Sequence, residues 1–189
     1  MSSNLTLAEW TPLEKKSAVV YDLFLILGSS FLIALSAQVA FGWPVPITGQ
    51  TFAILLIASV LGSKRASLAV FAYICEGVAG LPVFAQFKFG LPALLGPTGG
   101  YIIGFLAAAF IIGLLTERIR DKNIVKMFFA MLTGLIVIYA FGIFWLSFVL
   151  KGAALLTVLK VGLFPFIPGE IIKITLALAL LGRLSSFNK

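Results

Sequence analysis

Residues 47–80 read ITGQTFAILLIASVLGSKRASLAVFAYICEGVAG. Two apolar runs, 47–61 and 66–80, flank a short basic break at Lys64 and Arg65. Each run falls short of the roughly 20 residues that carry a helix across a bilayer. Each therefore reads either as a span or as a re-entrant segment, and charge decides between the two. Four longer or comparable apolar runs lie outside this stretch, at about 19–41, 100–115, 127–150 and 169–184. If all six cross, one side collects Lys15, Lys16, Lys64, Arg65, Arg118, Arg120, Lys122, Lys126, Arg183 and Lys189. The other side holds only Lys88, Lys151 and Lys160. Basic residues concentrate on the cytoplasmic side of membrane proteins, so this split predicts six spans with both termini cytoplasmic. Removing one span scrambles it.

Composition agrees. The 189 residues are 61% hydrophobic and 11% charged, with a mean hydropathy of +1.13. A soluble domain carries about 25% charged residues, so a water-soluble globule and a soluble catalytic domain are both excluded. The formal net charge of +7 reads as a topology signal, not as a nucleic-acid footprint. The chain has no histidine, which removes the usual general base and imidazole ligand. Cys75 stands alone, so neither an intrachain disulfide nor a multi-cysteine metal site is possible. The first run is too long for a signal-peptide core and lacks a small-residue cleavage site, so it is expected to remain in the mature chain.

The predicted orientation puts three unusual connections outside: 42–50 (GWPVPITGQ), 81–99 (LPVFAQFKFGLPALLGPTG) and 151–168, which ends in FPFIP. They hold every proline except Pro12, together with Trp43, Phe84, Phe87, Phe89, Phe164 and Phe166. Such segments are apolar yet cannot continue as helix. Non-helical backbone at membrane depth is tolerated only when it packs on protein or lines a cavity. The three loops are therefore expected to cap an outward-facing pocket.

Glu170 and Lys173 form the sharpest constellation, because residues three apart share one face of the helix that opens the last span. An ionisable group inside a span costs roughly 2.5–3.5 kcal/mol on insertion scales, so Lys173 should face the bundle interior. The pair either neutralises itself or meets a polar ligand with its carboxylate and ammonium separately. Tyr139, Gly142 and Trp145 follow one another at three-residue spacing and read as a cavity wall or as ordinary packing. Glu76 reads as a second ligand-facing group or a snorkelling carboxylate. Gly96–Gly100 (GPTGG) is Gly-rich and opens a helix, but it lacks the Lys and Ser/Thr of a Walker A loop, and tight-turn packing is the favoured reading. Ser30 and Ala34 begin a small-residue face on the first span, suited to close helix approach, either within the chain or to a partner.

Five motifs in order, PVPITGQTFAILL from Pro44, GLPVFA from Gly80, LLGPTGGYIIGF from Leu94, YAFGIFWL from Tyr139 and PFIPGEIIK from Pro165, give the chain its likeness: it resembles the BioY family. Those proteins are the biotin-specific membrane subunits, or S components, of prokaryotic energy-coupling factor transporters. The resemblance implies an all-α membrane protein, a single domain over 1–189 with six transmembrane helices. It implies multi-pass residence in a prokaryotic plasma membrane and biotin capture at the outer face. It also implies coupling to a transmembrane T component and two cytoplasmic ATPases, so that ATP is used by partners and no cofactor is bound. The expected ligand-binding residues are Glu170, Lys173, Tyr139, Trp43, Phe84, Gln86 and Tyr101, with Ser30 and Ala34 on the docking face. The family usually carries Asp where this chain has Glu170. An S component for another water-soluble vitamin is the nearest alternative. A membrane-embedded transferase is a more distant one, because the Glu–Lys pair lacks a nucleophile with an oriented base.

Overall fold

The computed structural model describes residues 12–42, 44–119 and 123–186, and these are mostly helical. Helix α1 covers Pro12–Gln38, α2 Gln50–Val78, α3 Leu91–Leu95, α4 Gly99–Glu117, α5 Ile124–Val149, α6 Leu155–Gly162 and α7 Ile167–Ser186. A two-stranded hairpin, β1 (Ala40–Phe41) against β2 (Ile47–Thr48), joins α1 to α2. By length and composition α1, α2, α4 and α5 can each cross a membrane, and the α6–α7 pair, bent by 43°, makes a fifth if taken as one span.

Helix α2 is not a straight rod. Gly62 sits at φ 78°, ψ 179° in its middle, a conformation that side-chain-bearing residues avoid. A straight helix would hold Gln50 and Tyr73 about 35 Å apart, yet Gln50 Nε2 donates to Tyr73 Oη at 2.6 Å. The element therefore folds back on itself at Gly62, and its two arms correspond to the predicted runs 47–61 and 66–80. Glu117 secures the reversal from the end of α4: its carboxylate accepts from Ser63 N at 2.6 Å and from Ser63 Oγ at 3.0 Å. An acidic group is favoured at that helix N-terminus.

Cross-helix contacts fix the relative directions of neighbouring arms. Asp22 pairs with Arg65 at 2.6 Å and Ser30 donates to Glu76 at 2.7 Å, so α1 runs parallel to the second arm of α2. Residues 101 and 104 of α4 meet 142 and 138 of α5, so these helices are antiparallel. They approach closely because Gly142 admits the Tyr101 ring, which a methyl group there would strike, and Gly104 lies over Ile138, where a methyl group would crowd the backbone. Small residues at such crossings let helices pack where apolar burial alone gives no drive in lipid. The helix α5 is started by Asn123, whose side chain accepts from Val125 N at 2.9 Å and Lys126 N at 3.2 Å. Such a cap satisfies donors that a helix start leaves unpaired.

Two expectations need correction. The connection 151–168 is not loop throughout, since α6 occupies Leu155–Gly162. Its sequence LLTVLKVG contains no breaker before the terminal glycine, and Pro165 and Pro168 act only after it. The first helix starts at Pro12, and its membrane-crossing part, Ala18–Gln38, begins where the apolar run does. The second correction concerns Ser30 and Ala34, which do not form an open docking face. They are 0% and 8% exposed, and Ser30 spends its hydroxyl on Glu76. The small residues of α1 are used to seat the second arm of α2.

Candidate ligand-binding site

At the end of the bundle where α4 and α7 begin, the hairpin, the 84–88 segment and the first turns of α2, α4 and α7 surround a pocket. About 600 Å³ of space, open mouth included, lies between its walls, but the cleft is narrow: the centre of a water molecule has only about 40 Å³ to occupy.

The floor is a charged network contributed by three helices. Glu170 is 5% exposed. Its Oε1 accepts from Lys173 Nζ at 2.8 Å, Thr51 Oγ1 at 3.0 Å and Tyr139 Oη at 3.1 Å. Lys173 Nζ also donates to Thr51 Oγ1 at 2.8 Å, so the Thr51 hydroxyl accepts from the ammonium while donating to the carboxylate. A buried carboxylate is tolerable only when paired and hydrogen-bonded. Here one oxygen carries all of that pairing. Glu170 Oε2 is buried without a hydrogen-bond partner among the described residues, whereas buried acceptors are nearly always satisfied. Lys173 keeps one of its three ammonium hydrogens free beyond these two bonds.

Aromatic rings line one side. Tyr101 lies near-parallel to Phe166, with centroids 6.4 Å apart and 25° between planes, and edge-on to Tyr139 at 6.0 Å and 83°. Its hydroxyl donates to Gly162 O at 2.8 Å, so Tyr101 offers the pocket its ring, not its polar end. Opposite, Phe84 is 2% exposed and packs edge-on to Tyr73 at 5.5 Å. A second polar group, Gln50, is held by Tyr73 and by Thr48, whose Oγ1 donates to Gln50 Oε1 at 3.0 Å.

Of the sequence-predicted residues, Glu170, Lys173, Tyr139, Tyr101 and Phe84 converge on this pocket. Gln86 does not: it is exposed, sits at a positive φ of 60° and turns toward the Gly42 carbonyl at 3.5 Å. Trp43 lies outside the described residues. Trp145 is no pocket wall but a brace, donating from Nε1 to Gly96 O at 3.0 Å. The Gly96–Gly100 segment is accordingly a packed turn. Glu76 serves Ser30 and not the pocket. Thr51, Gln50 and Lys88 escaped the reading of the sequence, although polar residues opening an apolar run, and one cation inside an otherwise uncharged outer loop, were visible signals.

A family model described as the BioY family matches residues 8–189. The biotin transporter BioY of Thermotoga maritima is 41% identical over 145 residues, covering 77% of this chain and 83% of that protein. The probable biotin transporter BioY of Pyrococcus horikoshii is 39% identical over 155 residues, covering 81% and 89%. In Lactococcus lactis the biotin transporter BioY2 is 35% identical over 175 residues, covering 90% and 95%. Among solved structures, the S-component for biotin from an ECF-type ABC transporter superposes with a TM-score of 0.80 at 30% identity, covering 94% of this chain and 95% of that one. Sequence and fold thus agree over nearly the whole length, and the chain belongs to the BioY family.

Proposed function

We propose that this chain is the biotin-binding membrane subunit of a vitamin uptake transporter, with no enzymatic activity of its own. Its single domain, 1–189, crosses the plasma membrane of a prokaryotic cell six times, with both termini cytoplasmic. The two arms of α2 count as separate spans in this reading, and the α6–α7 pair as one. Alternating arm directions and the distribution of Lys and Arg support it. The pocket then opens outside, under the loops that join the first and second, third and fourth, and fifth and sixth spans. A T component and two cytoplasmic ATPases supply the energy. Their contact surface lies on outward-facing side chains, since Ser30 and Ala34 are occupied within the subunit.

The observation that carries the ligand assignment is the lopsided Glu170 carboxylate. An acceptor oxygen without a partner, beside an ammonium with one hydrogen to spare, matches a cyclic urea: ureido N–H groups donate to Oε2 while Lys173 donates to the ureido oxygen. Tyr101, Tyr139 and Phe166 supply apolar ring surface for the fused bicycle, and Phe84 covers it. Predominantly apolar walls with a few oriented polar groups are the ordinary design of a small-molecule site. The narrow void means that the loops must part to admit ligand and close over it. Mass spectrometry of small molecules co-purified in mild detergent, followed by calorimetric titration with biotin, tests the assignment. Recovery of biotin and saturable one-site binding are expected. A different co-purified vitamin, with no response to biotin, would overturn it.

A further inference from the structure

Helices α5 and α7 do not close against each other along their whole length. Between them runs a groove of about 890 Å³, open mouth included. Its wall on α5 is the stripe Ile136, Ala140 and Ile143, and on α7 the stripe Ile167, Ile171 and Ile174, at the spacing that puts side chains on one helix face. Where α4 and α5 cross, glycines let the helices touch; here branched side chains hold them apart. Ile136 and Ile171 are each 61% exposed, so the groove opens sideways, away from the bundle. Tyr139 and Glu170 line both this groove and the ligand pocket, so a single layer of side chains separates the two spaces. Every other residue of the groove is aliphatic.

Length and charge identify the occupant. From Leu132 to Ile143, the extent of the groove on α5, the helix rises about 16 Å. That is half the roughly 30 Å hydrocarbon thickness of a bilayer, the reach of an acyl chain from one leaflet. The charge sits at the outer end. Helix α6 leads into α7 through a 43° bend, so Lys160, one turn before the lining residue Leu163, stands on the outer side of the groove. Lys160 is exposed and has no carboxylate partner among the described residues. Water does not settle in an aliphatic space, and an empty one forfeits dispersion contacts along its lining.

We infer that the α5–α7 groove binds one anionic phospholipid of the outer leaflet, with an acyl chain laid along Ile136, Ala140 and Ile171 and the phosphate group at Lys160. The choice of leaflet rests on the proposed orientation. The bound chain backs the layer that holds Tyr139 and Glu170, and so seals the ligand site laterally where no helix does. Exposure of Lys160 keeps the headgroup preference modest and sensitive to salt.

The test adds dioleoylphosphatidylglycerol or dioleoylphosphatidylcholine to the delipidated full chain in mild detergent and counts retained lipids by native mass spectrometry. One phosphatidylglycerol per chain should be retained, about fivefold more tightly than phosphatidylcholine at low ionic strength. Lys160→Gln should bring that preference to near unity. Ala140→Phe fills the groove from an exposed position and should abolish retention of both lipids while biotin binding persists. Equal retention in Ala140→Phe, or an undiminished phosphatidylglycerol preference in Lys160→Gln, would overturn the inference. So would a lipid-free dimer of the unsubstituted chain that Ala140→Phe dissociates, since the groove would then belong to a second copy. Titration of the same samples with biotin separates the two readings. Biotin binding without retained lipid leaves the proposed function standing, and retained lipid without biotin binding overturns that function alone.

Discussion

Glu170 holds its neighbours through a single oxygen, and that asymmetry sets what substitutions there should do. Glu170→Gln keeps the shape but removes the charge that pairs Lys173; Lys173→Met leaves a buried carboxylate without its counter-ion. Truncating one partner of a buried charged contact costs about 2–5 kcal/mol, a thirtyfold or larger loss in affinity. Both variants are expected to lose biotin binding to that extent by titration calorimetry. Thr51→Val removes only the hydroxyl that links the two charges, so a smaller loss of about 1–2 kcal/mol is expected. An unchanged affinity in folded Lys173→Met would make the pair structural. Ala34 belongs to the same scale. At 8% exposure it has no room for an indole, and overpacking of this kind costs about 1–3 kcal/mol. Ala34→Trp should therefore lower the thermal stability of the isolated subunit, as read by size-exclusion after heating, and not act selectively on partner assembly.

Two elements govern how the pocket is held. The reversal in α2 depends on Gly62, where a Cβ would meet both a prohibitive φ of 78° and the Glu117 carboxylate that caps the second arm. Strain of that kind amounts to about 1–3 kcal/mol, and Gly62→Ala should reduce thermal stability accordingly, far from the ligand. At the opposite end, Gln38 fastens the segment that carries Phe84 and Lys88. Gln38→Leu retains bulk but removes these three bonds, and faster biotin release is expected, by up to about a hundredfold, since each lost bond is worth about 1 kcal/mol net. Hydrogen exchange over 82–90 should rise in this variant and fall on adding biotin to the unsubstituted protein. Unaltered exchange in both cases would mean that this segment is not a lid.

Across the whole molecule, the charge distribution and the arm directions make one statement about orientation. In a background where Cys75 is replaced by Ser, cysteines introduced at Lys88 and Lys160 should react with an impermeant reagent added outside intact cells, while one at Lys64 should react only after permeabilisation. All three positions are exposed. External labelling at 64 would break the six-span reading, which puts Lys64 and the neighbouring Gly62 reversal on the cytoplasmic side.

Sequence alone determined the membrane class, the six apolar runs and the charged pair at the start of the last span. Each of these is written in hydropathy, charge position or i, i+3 spacing, all of which act over a few residues. The motif order also carried the family. What required tertiary structure was partnership. Ser30 and Ala34 look alike on a docking face and on an internal one, and only the position of Glu76 on another helix decides between them. Thr51 lies 119 residues from Glu170 and is an ordinary helix residue until the two meet. Gln86 and Lys88 stand two residues apart in one loop, yet the left-handed turn between Phe84 and Lys88 sends one outward and the other to the pocket rim. Local chemistry fixes which segments leave water, but which side chains then face each other depends on the packing of distant helices, where a change of one side-chain position reassigns the partner.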